Sequence, residues 1–335
     1  MRIAINGFGR IGRNFLRALC ADARAKELLD LVAINLGPAR PEFAAHMFKY
    51  DTLLGKYPGS VKLQNMQLQV DGYKIQLLTE TDPEKIGWAK LGVDWVVESS
   101  GHFTTREGAE EHLKAGAHGV LITAPATGED ITIIPGVNED RFDSTKQKII
   151  SLGSCTSNAV IPVLKVLNDT LGVRAGCMTT IHAYTNTQVL LDVEDSDERR
   201  SRAAALNMVP SSTGASKVIG KVLPELEGRV SGVAVRVPVA KVSLIDLVVD
   251  VARQTKPEEV NDLLRAASLD RMRGILEVCT EPLVSTDFYG DDHSVIIDGP
   301  LTKAHDNMVQ LFGWYDNEWG YSVRVKDFLV YIATR

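Results

Sequence analysis

The sequence predicts two domains of different class. An α/β domain is expected over residues 1–150, and an α+β domain with a mostly antiparallel sheet over residues 151–319, with a C-terminal helix at 320–335. Three observations carry this expectation. A strand, a glycine turn, a helix and a second strand open the chain. Buried-type strands then alternate with helical segments up to about residue 150. Beyond it, long alternating β-branched runs are interrupted by only two helical stretches. A length of 335 residues suits two domains, each with a real core.

MRIAIN reads as the first strand, GFGRIGR as the turn, IGRNFLRALCADARAK as a helix with apolar residues at helical spacing, and LDLVAIN as the second strand. Gly7, Gly9 and Gly12 therefore form G-x-G-x-x-G inside a β-α-β unit, the Rossmann arrangement. Gly7 permits the tight turn, Gly9 lets the backbone approach a pyrophosphate, and Gly12 lets helix and strand pack closely. The helix N-terminus faces the anion. One part of this dinucleotide fingerprint is missing. The second strand ends Ile34-Asn35-Leu36-Gly37, without the acidic residue that bonds a ribose 2′-hydroxyl, and the next carboxylate is Glu42. Arg40 lies nearby, where an arginine can reach a 2′-phosphate.

VKLQNMQLQVDGYKIQLLT alternates around a DG turn and predicts an antiparallel hairpin added to the sheet. GVDWVVESSG is a buried-type strand whose end, Ser99-Ser100-Gly101, suits a bound cofactor, because ligands of open α/β sheets lie outside the carboxyl ends of the strands. TTREGAEEHLKAGA reads as a surface helix, which leaves His112 and His118 solvated. HGVLITAPA and KIISLG are further strands.

SLGSCTSNAVIP sets Cys155 where a strand gives way to the helix NAVIPVLKVLNDTLG. Unpaired N–H groups and the positive end of the helix dipole favour thiolate there. Of seven histidines, His182 alone ends a strongly apolar strand (CMTTIHAYT) in the same domain as Cys155. A cysteine and a histidine at neighbouring element ends are what nucleophilic catalysis requires. About thirty residues with little periodicity follow His182. They carry Arg199, Arg200 and Arg202 and end in Ser211-Ser212-Thr213-Gly214. Arg236 sits inside the apolar strand VAVRVPV, so it is expected to face an anion or a carboxylate. Cations and hydroxyls beside a thiol suggest a phosphorylated substrate. GYSVRVKDFLVYIATR closes the chain as an amphipathic helix.

Composition removes several classes. A net charge of −6 argues against a nucleic-acid partner. No apolar run approaches the roughly 18 residues of a membrane span. The four cysteines show no CxxC spacing, so neither a metal site nor a disulfide framework is expected, and a reducing cytoplasm fits.

INGFGRIGR, SCTSN, HAYTNTQ, ERRSRAAALN, STGASK, VRVPVAKVS and WYDNEWGYS together resemble the phosphorylating glyceraldehyde-3-phosphate dehydrogenases, in that family's order over essentially the whole chain. The resemblance implies a Rossmann domain completed by the C-terminal helix, glyceraldehyde 3-phosphate and inorganic phosphate as substrates, NAD as cofactor, and a homotetramer. In such a tetramer the segment after His182 contacts a neighbouring subunit's cofactor region. It makes Cys155 the nucleophile and His182 its general base. Phe8, Arg10 and Ile11 then join Gly7, Gly9, Gly12, Asn35, Leu36, Ser100, Gly101 and Thr123 around the cofactor, while Asn317 holds the nicotinamide amide with Tyr321 near the ring. Thr185 and Arg236 match the site for the substrate phosphate. Ser154, Thr156, Arg200, Thr213 and Gly214 match the site for the attacking phosphate.

The chain departs from the family pattern at three places. Ala159 stands where a second cysteine is usual, Thr187 replaces an aspartate, and Val193-Glu194 replaces Leu-Pro. With Leu36 opposed by Glu194, NAD is expected with weaker discrimination against NADP. The alternative within the fold is erythrose-4-phosphate dehydrogenase, which lacks the YTN and TGA that this chain has. A cofactor-free Cys–His hydrolase is opposed by the glycine fingerprint, and a non-catalytic binding role by the intact Cys155–His182 pair.

Overall fold

Apolar runs from the first 150 residues assemble into one nine-stranded sheet in a computed structural model that describes residues 1–335. The chain divides into two compact units. The first comprises residues 1–133, 139–153 and 322–335; the second comprises 134–138 and 154–321. The strands of the first unit are β1 (Arg2–Asn6), β2 (Asp30–Asn35), β3 (Val61–Gln64), β4 (Gln67–Val70), β5 (Tyr73–Leu78), β6 (Trp95–Glu98), β7 (Gly119–Ile122), β8 (Ile131–Thr132) and β9 (Ile149–Ser151). Their spatial order is β8-β9-β7-β6-β1-β2-β5-β4-β3. All pairs are parallel except β5·β4 and β4·β3, which run antiparallel. The hairpin expected around the DG turn is thus a three-stranded meander. Asn65 and Met66, both at positive φ, make its other turn. β6 and β7 are buried along their whole length, as a sheet covered on both faces requires.

Helix α1 (Arg10–Ala21) follows β1, α2 (Pro41–Lys49) follows β2, and α3 (Arg106–Lys114) lies between β6 and β7. One expectation fails here: His112 on α3 is fully buried, while His118 is exposed as anticipated. Trp88 Nε1 donates to His112 Nδ1 (3.1 Å), so the ring proton sits on Nε2 and is donated to Glu98 Oε2 (3.0 Å). Glu98, at the end of β6, is 2% exposed. Its carboxylate also accepts from Asn6 Nδ2 (2.6 Å) and from the backbone and hydroxyl of Ser100. Asn6 Oδ1 in turn accepts from Asn35 Nδ2 (2.7 Å), and the Asn35 amide pairs with both backbone groups of Glu80. This continuous buried chain orders the ends of β1, β2 and β6. A single histidine on a charged helix carries no sequence signal for it, because the partners are far away in the chain.

The second unit has β10 (Val173–Ala183), β11 (Val209–Ser212), β12 (Val230–Val237), β13 (Ser243–Val251), β14 (Leu276–Cys279), β15 (Val295–Asp298), β16 (Lys303–His305) and β17 (Met308–Tyr315). They are ordered β11-β12-β10-β13-β17-β15-β14, with β16 on β17. Five of the seven pairings are antiparallel; β10·β12 and β14·β15 are parallel. Alternation is clean on β13, whose burial changes at every residue, as one face packed on helices predicts. That face meets α4 (Cys155–Leu171), α5 (Ala215–Val222) and α6 (Pro257–Leu269) in one continuous apolar core. Helix α7 (Trp319–Ala333) ends the chain. The irregular segment after His182 is shorter than expected, since its last part forms β11.

Replacing His112 by Leu orphans the Trp88 N–H and removes one donor from a buried carboxylate. The expected loss is about 2–5 kcal/mol, read as a lower urea midpoint. His112→Gln, whose amide can still donate to Glu98, should recover part of it. An unchanged midpoint in His112→Leu would show that the network does not hold these strand ends.

Candidate functional site

At the carboxyl ends of β1 and β2 lies a cavity of about 570 Å³. Gly7, Phe8, Gly9, Asn35, Leu36 and Ser100 line it, as do Asn6, Phe43, Glu80, Thr81 and His102. Gly7 has φ +90°, and a Cβ there would come within 2.4 Å of the Ser100 backbone. A Cβ on Gly12 would lie 2.5 Å from the Gly7 carbonyl, whereas Gly9 faces open space. Gly9 caps α1 without a side-chain hydrogen bond, and the first turn carries no acidic residue. Free N–H groups at an open glycine turn fit a pyrophosphate.

Other expected cofactor residues lie outside the lining. Arg10 is paired with Asp51. Ile11 and Gly12 lie on α1, Gly101 is exposed, and Thr123 donates to the Glu98 carbonyl (3.0 Å). The Asn35 side chain is committed to Asn6 and Glu80, and the Leu36 N–H to the Leu78 carbonyl (2.8 Å). Neither is free for a ribose. Arg40 is exposed, as the residue preceding α2. A carboxylate residue, Glu80, does line the cavity, with its Oε1 accepting from Thr81 N (2.9 Å) and Asp82 N (3.0 Å). It follows β5, the neighbour of β2, and strand adjacency is invisible in the linear sequence.

In the second unit, Ser154 caps α4 by accepting from Ser157 N (3.1 Å), which makes Cys155 the first helical residue. Cys155 Sγ lies 3.5 Å from His182 Nε2. His182 and Arg236 are register partners on the parallel strands β10 and β12, which explains how a distant arginine reaches the ring. His182 Nδ1 is 2.7 Å from the Ala183 carbonyl and also 2.7 Å from Arg236 Nη1. The Tyr315 ring meets His182 edge-on at 5.9 Å. The Tyr315 hydroxyl joins Thr180 (2.7 Å) and Thr156 (3.0 Å).

Electrostatics here differ from the simple expectation for a helix terminus. Cys155 keeps some accessible surface, yet protein surrounds it so closely that burial pushes its thiol up. Arg236 and the Thr156 hydroxyl and N–H pull the other way, without winning. Burial thus works against the thiolate that a helix terminus favours. Burial first, and Arg236 second, push His182 down to about 3, so its imidazole is neutral and able to accept a proton.

The remaining expected residues fall around this pair. Arg236 is half-buried and meets His182 and the Ala183 carbonyl (3.2 Å) rather than a carboxylate. Thr185 shares a hydrogen bond with Thr187 (3.0 Å). Arg200 donates twice to Ser211, at 3.0 and 2.7 Å, fixing its guanidinium. Thr213 accepts from Ala215 N, and Gly214 precedes α5. Thr156 is buried with its hydroxyl on Tyr315. Asn317 and Tyr321 are both buried. Ser243 donates to Asn317 Oδ1 (3.2 Å) and accepts from Ala183 N (3.1 Å), so the Asn317 NH₂ is the end left to offer. Reading the sequence missed Tyr315 and Ser243. Only the alternation of their strands marks them as inward-facing.

A model of the glyceraldehyde 3-phosphate dehydrogenase NAD binding domain matches residues 1–106, and one of the C-terminal domain matches 154–317. The chain belongs to the glyceraldehyde-3-phosphate dehydrogenase family. It is 47% identical to the glyceraldehyde-3-phosphate dehydrogenase of Priestia megaterium, over 100% of this chain and 99% of that one. A second such enzyme from Bacillus subtilis is 45% identical over 100% and 97%. A chloroplastic member from Arabidopsis thaliana is 48% identical over 99% of this chain and 84% of its own. NAD is accordingly the cofactor of the first unit, and its cavity fits one.

Two expectations follow from these electrostatics. With Glu80 in the cavity wall, NAD should be preferred over NADP, and Glu80→Gln should narrow the ratio of specificity constants about tenfold or less, as for a partly exposed charge. Leu36→Asp should widen it. A ratio unmoved by Glu80→Gln would assign the discrimination to another group, such as Glu194. In the unfolded chain His182 takes up a proton near pH 6.5, but in the folded one only at about 3. Stability is therefore lost as the pH falls from about 6.5 toward 3. His182→Asn should make urea midpoints less sensitive to pH in that window; an equal slope would contradict the buried neutral imidazole.

Proposed function

We propose that this chain oxidises glyceraldehyde 3-phosphate to 1,3-bisphosphoglycerate with NAD and inorganic phosphate, through a thioester on Cys155. Family membership supports the overall reaction. The observation that carries the residue assignment is the 3.5 Å approach of Cys155 Sγ to a neutral, buried His182 Nε2. His182 takes the thiol proton, and the thiolate attacks the aldehyde carbon to give a hemithioacetal. The base, having passed on its first proton, then removes the proton of the hemithioacetal hydroxyl. Bound NAD supplies the hydride acceptor. Inorganic phosphate attacks the thioester carbon, and Cys155 leaves as thiolate. The Cys155 N–H, at the first turn of α4, is proposed to stabilise the acyl oxygen. The amide of Asn317 is proposed to hold the nicotinamide amide, with Tyr321 near the ring.

Arg236 and Thr185 are proposed to take the substrate phosphate. Arg200, Ser154, Thr213 and Gly214 are proposed to take the attacking phosphate, with Thr156 contributing through its N–H. The exposed apolar residues Leu190, Leu191, Leu206 and Met208, 75–86% accessible, lie on the segment after His182 and support a homotetramer built across it. Four free cysteines support a reducing compartment such as the cytoplasm.

Cys155→Ala should abolish oxidation while sparing NAD binding. His182→Asn should lower kcat roughly 10²–10⁴-fold, the scale of a lost general base, and should move Cys155 alkylation to higher pH. An unaltered alkylation profile would remove His182 from the pair. Arg236→Leu should raise KM for the aldehyde, and Arg200→Leu mainly that for inorganic phosphate, each roughly ten- to a hundredfold. Normal constants in both variants would overturn the anion assignment.

A further inference from the structure

Ser243 opens β13 and is 1% exposed, so its hydroxyl must find its partners inside the protein. It accepts from Ala183 N (3.1 Å), at the end of β10, and donates to Asn317 Oδ1 (3.2 Å). A serine has one proton to give. If the Asn317 amide turned over, that proton would face a second donor and lose its acceptor. Asn317 Nδ2 makes no hydrogen bond within the chain. One end of this buried amide is therefore committed, and the other is left to a ligand.

We propose that Ser243 is a positioning residue of the nicotinamide site, whose hydroxyl fixes which end of the Asn317 amide meets the cofactor. The inference rests on the reading of Asn317 as the residue that holds the nicotinamide amide. With Oδ1 on Ser243, Asn317 offers only its Nδ2–H, and the group it takes must be an acceptor. The carboxamide carbonyl of the cofactor is such a group; its NH₂ is not. Ser243 thereby selects one orientation of the carboxamide. Hydride transfer is sensitive to that choice, because a misplacement of about 1 Å can cost roughly a hundredfold in rate.

The chain around Ser243 is held on both sides. Val242 has φ +65°, a costly conformation for a β-branched residue, and such strain persists only where the neighbours over-determine it. Before it, Lys241 Nζ lies 2.7 Å from Asp316 Oδ2, with both side chains fully buried, and 5.6 Å from the centre of the Tyr289 ring. After it, Ser243 is the register partner of Tyr315 on β17. Asp316 also accepts from Gly290 N (2.8 Å), and from Glu318 N (3.2 Å) and Trp319 N (2.9 Å) around the start of α7. The residues flanking Val242 thus grip two consecutive residues, Lys241 holding Asp316 and Ser243 holding Asn317. The backbone of Asn317 is fixed through Asp316, and its amide through Ser243.

The test compares NAD with ADP-ribose, which is the cofactor without its nicotinamide ring, by calorimetric titration of the whole enzyme. Ser243→Ala should weaken NAD about three- to tenfold, the scale of one lost hydrogen bond, and leave ADP-ribose unchanged. Ser243→Thr, which keeps the hydroxyl, should restore most of the NAD affinity. In an Asn317→Ala background, Ser243→Ala should weaken NAD no further, since its effect passes through that amide. Unchanged NAD affinity in Ser243→Ala, an equal loss for both ligands, or additive losses in the double variant would each overturn the proposal. If Asn317→Ala weakens NAD no more than ADP-ribose, the reading of Asn317 fails, and the positioning role with it. If Asn317→Ala weakens NAD selectively and Ser243→Ala does not, the positioning role alone fails.

Discussion

The reactive centre depends on the parallel pairing of β10 with β12, two strands that lie 47 residues apart in the chain and meet with His182 opposite Arg236. That register puts a cation against a buried imidazole, and three properties follow from it. The imidazole stays neutral, because a second positive charge beside Arg236 in a desolvated pocket is costly. The arginine is kept half-buried without a carboxylate, and so retains its capacity for an anion. The sulfur, at the first turn of α4, has its nearest acceptor in the ring nitrogen on the side away from the arginine. A slip of one residue in this pairing would turn Arg236 to the other face of the sheet.

Helix α4 brings the thiol to that pair. Its apolar residues are buried nearly all round, in one core with α5, α6 and the inner face of the sheet, so its N-terminus has little freedom to move. The helix end supplies N–H groups, but it does not by itself make a thiolate. Burial raises the thiol further than the nearby cation and hydrogen bonds lower it. The nearest ring nitrogen is His182 Nε2, 3.5 Å from the sulfur.

In the first unit the comparable anchor is the carboxylate of Glu98. It is buried and accepts from Asn6, His112 and both polar groups of Ser100. Such a charge is tolerated only because its acceptor sites are filled. Through Asn6 and Asn35 it orders three strand ends and the Glu80 backbone, which together wall the cavity. Residues that touch no ligand thus decide which polar groups remain available to one, and they take the Asn35 side chain and the Leu36 N–H out of that set.

The sequence by itself determined the elements and the chemistry-bearing types. Periodicity marked the strands and helices, because each buries one face or both and its residues repeat with that geometry. The glycine turn after β1 and the cysteine at a strand-to-helix junction were legible for a local reason, since their roles rest on backbone conformation within a few residues. The tertiary structure alone decided what faces what. That His112 is buried, that Thr156 turns its hydroxyl to Tyr315, that Glu80 stands beside the end of β2, and that Ser243 bridges Ala183 and Asn317 all depend on strand order and register. Those are set by packing between segments far apart in the chain, and a local pattern carries no record of its distant neighbours.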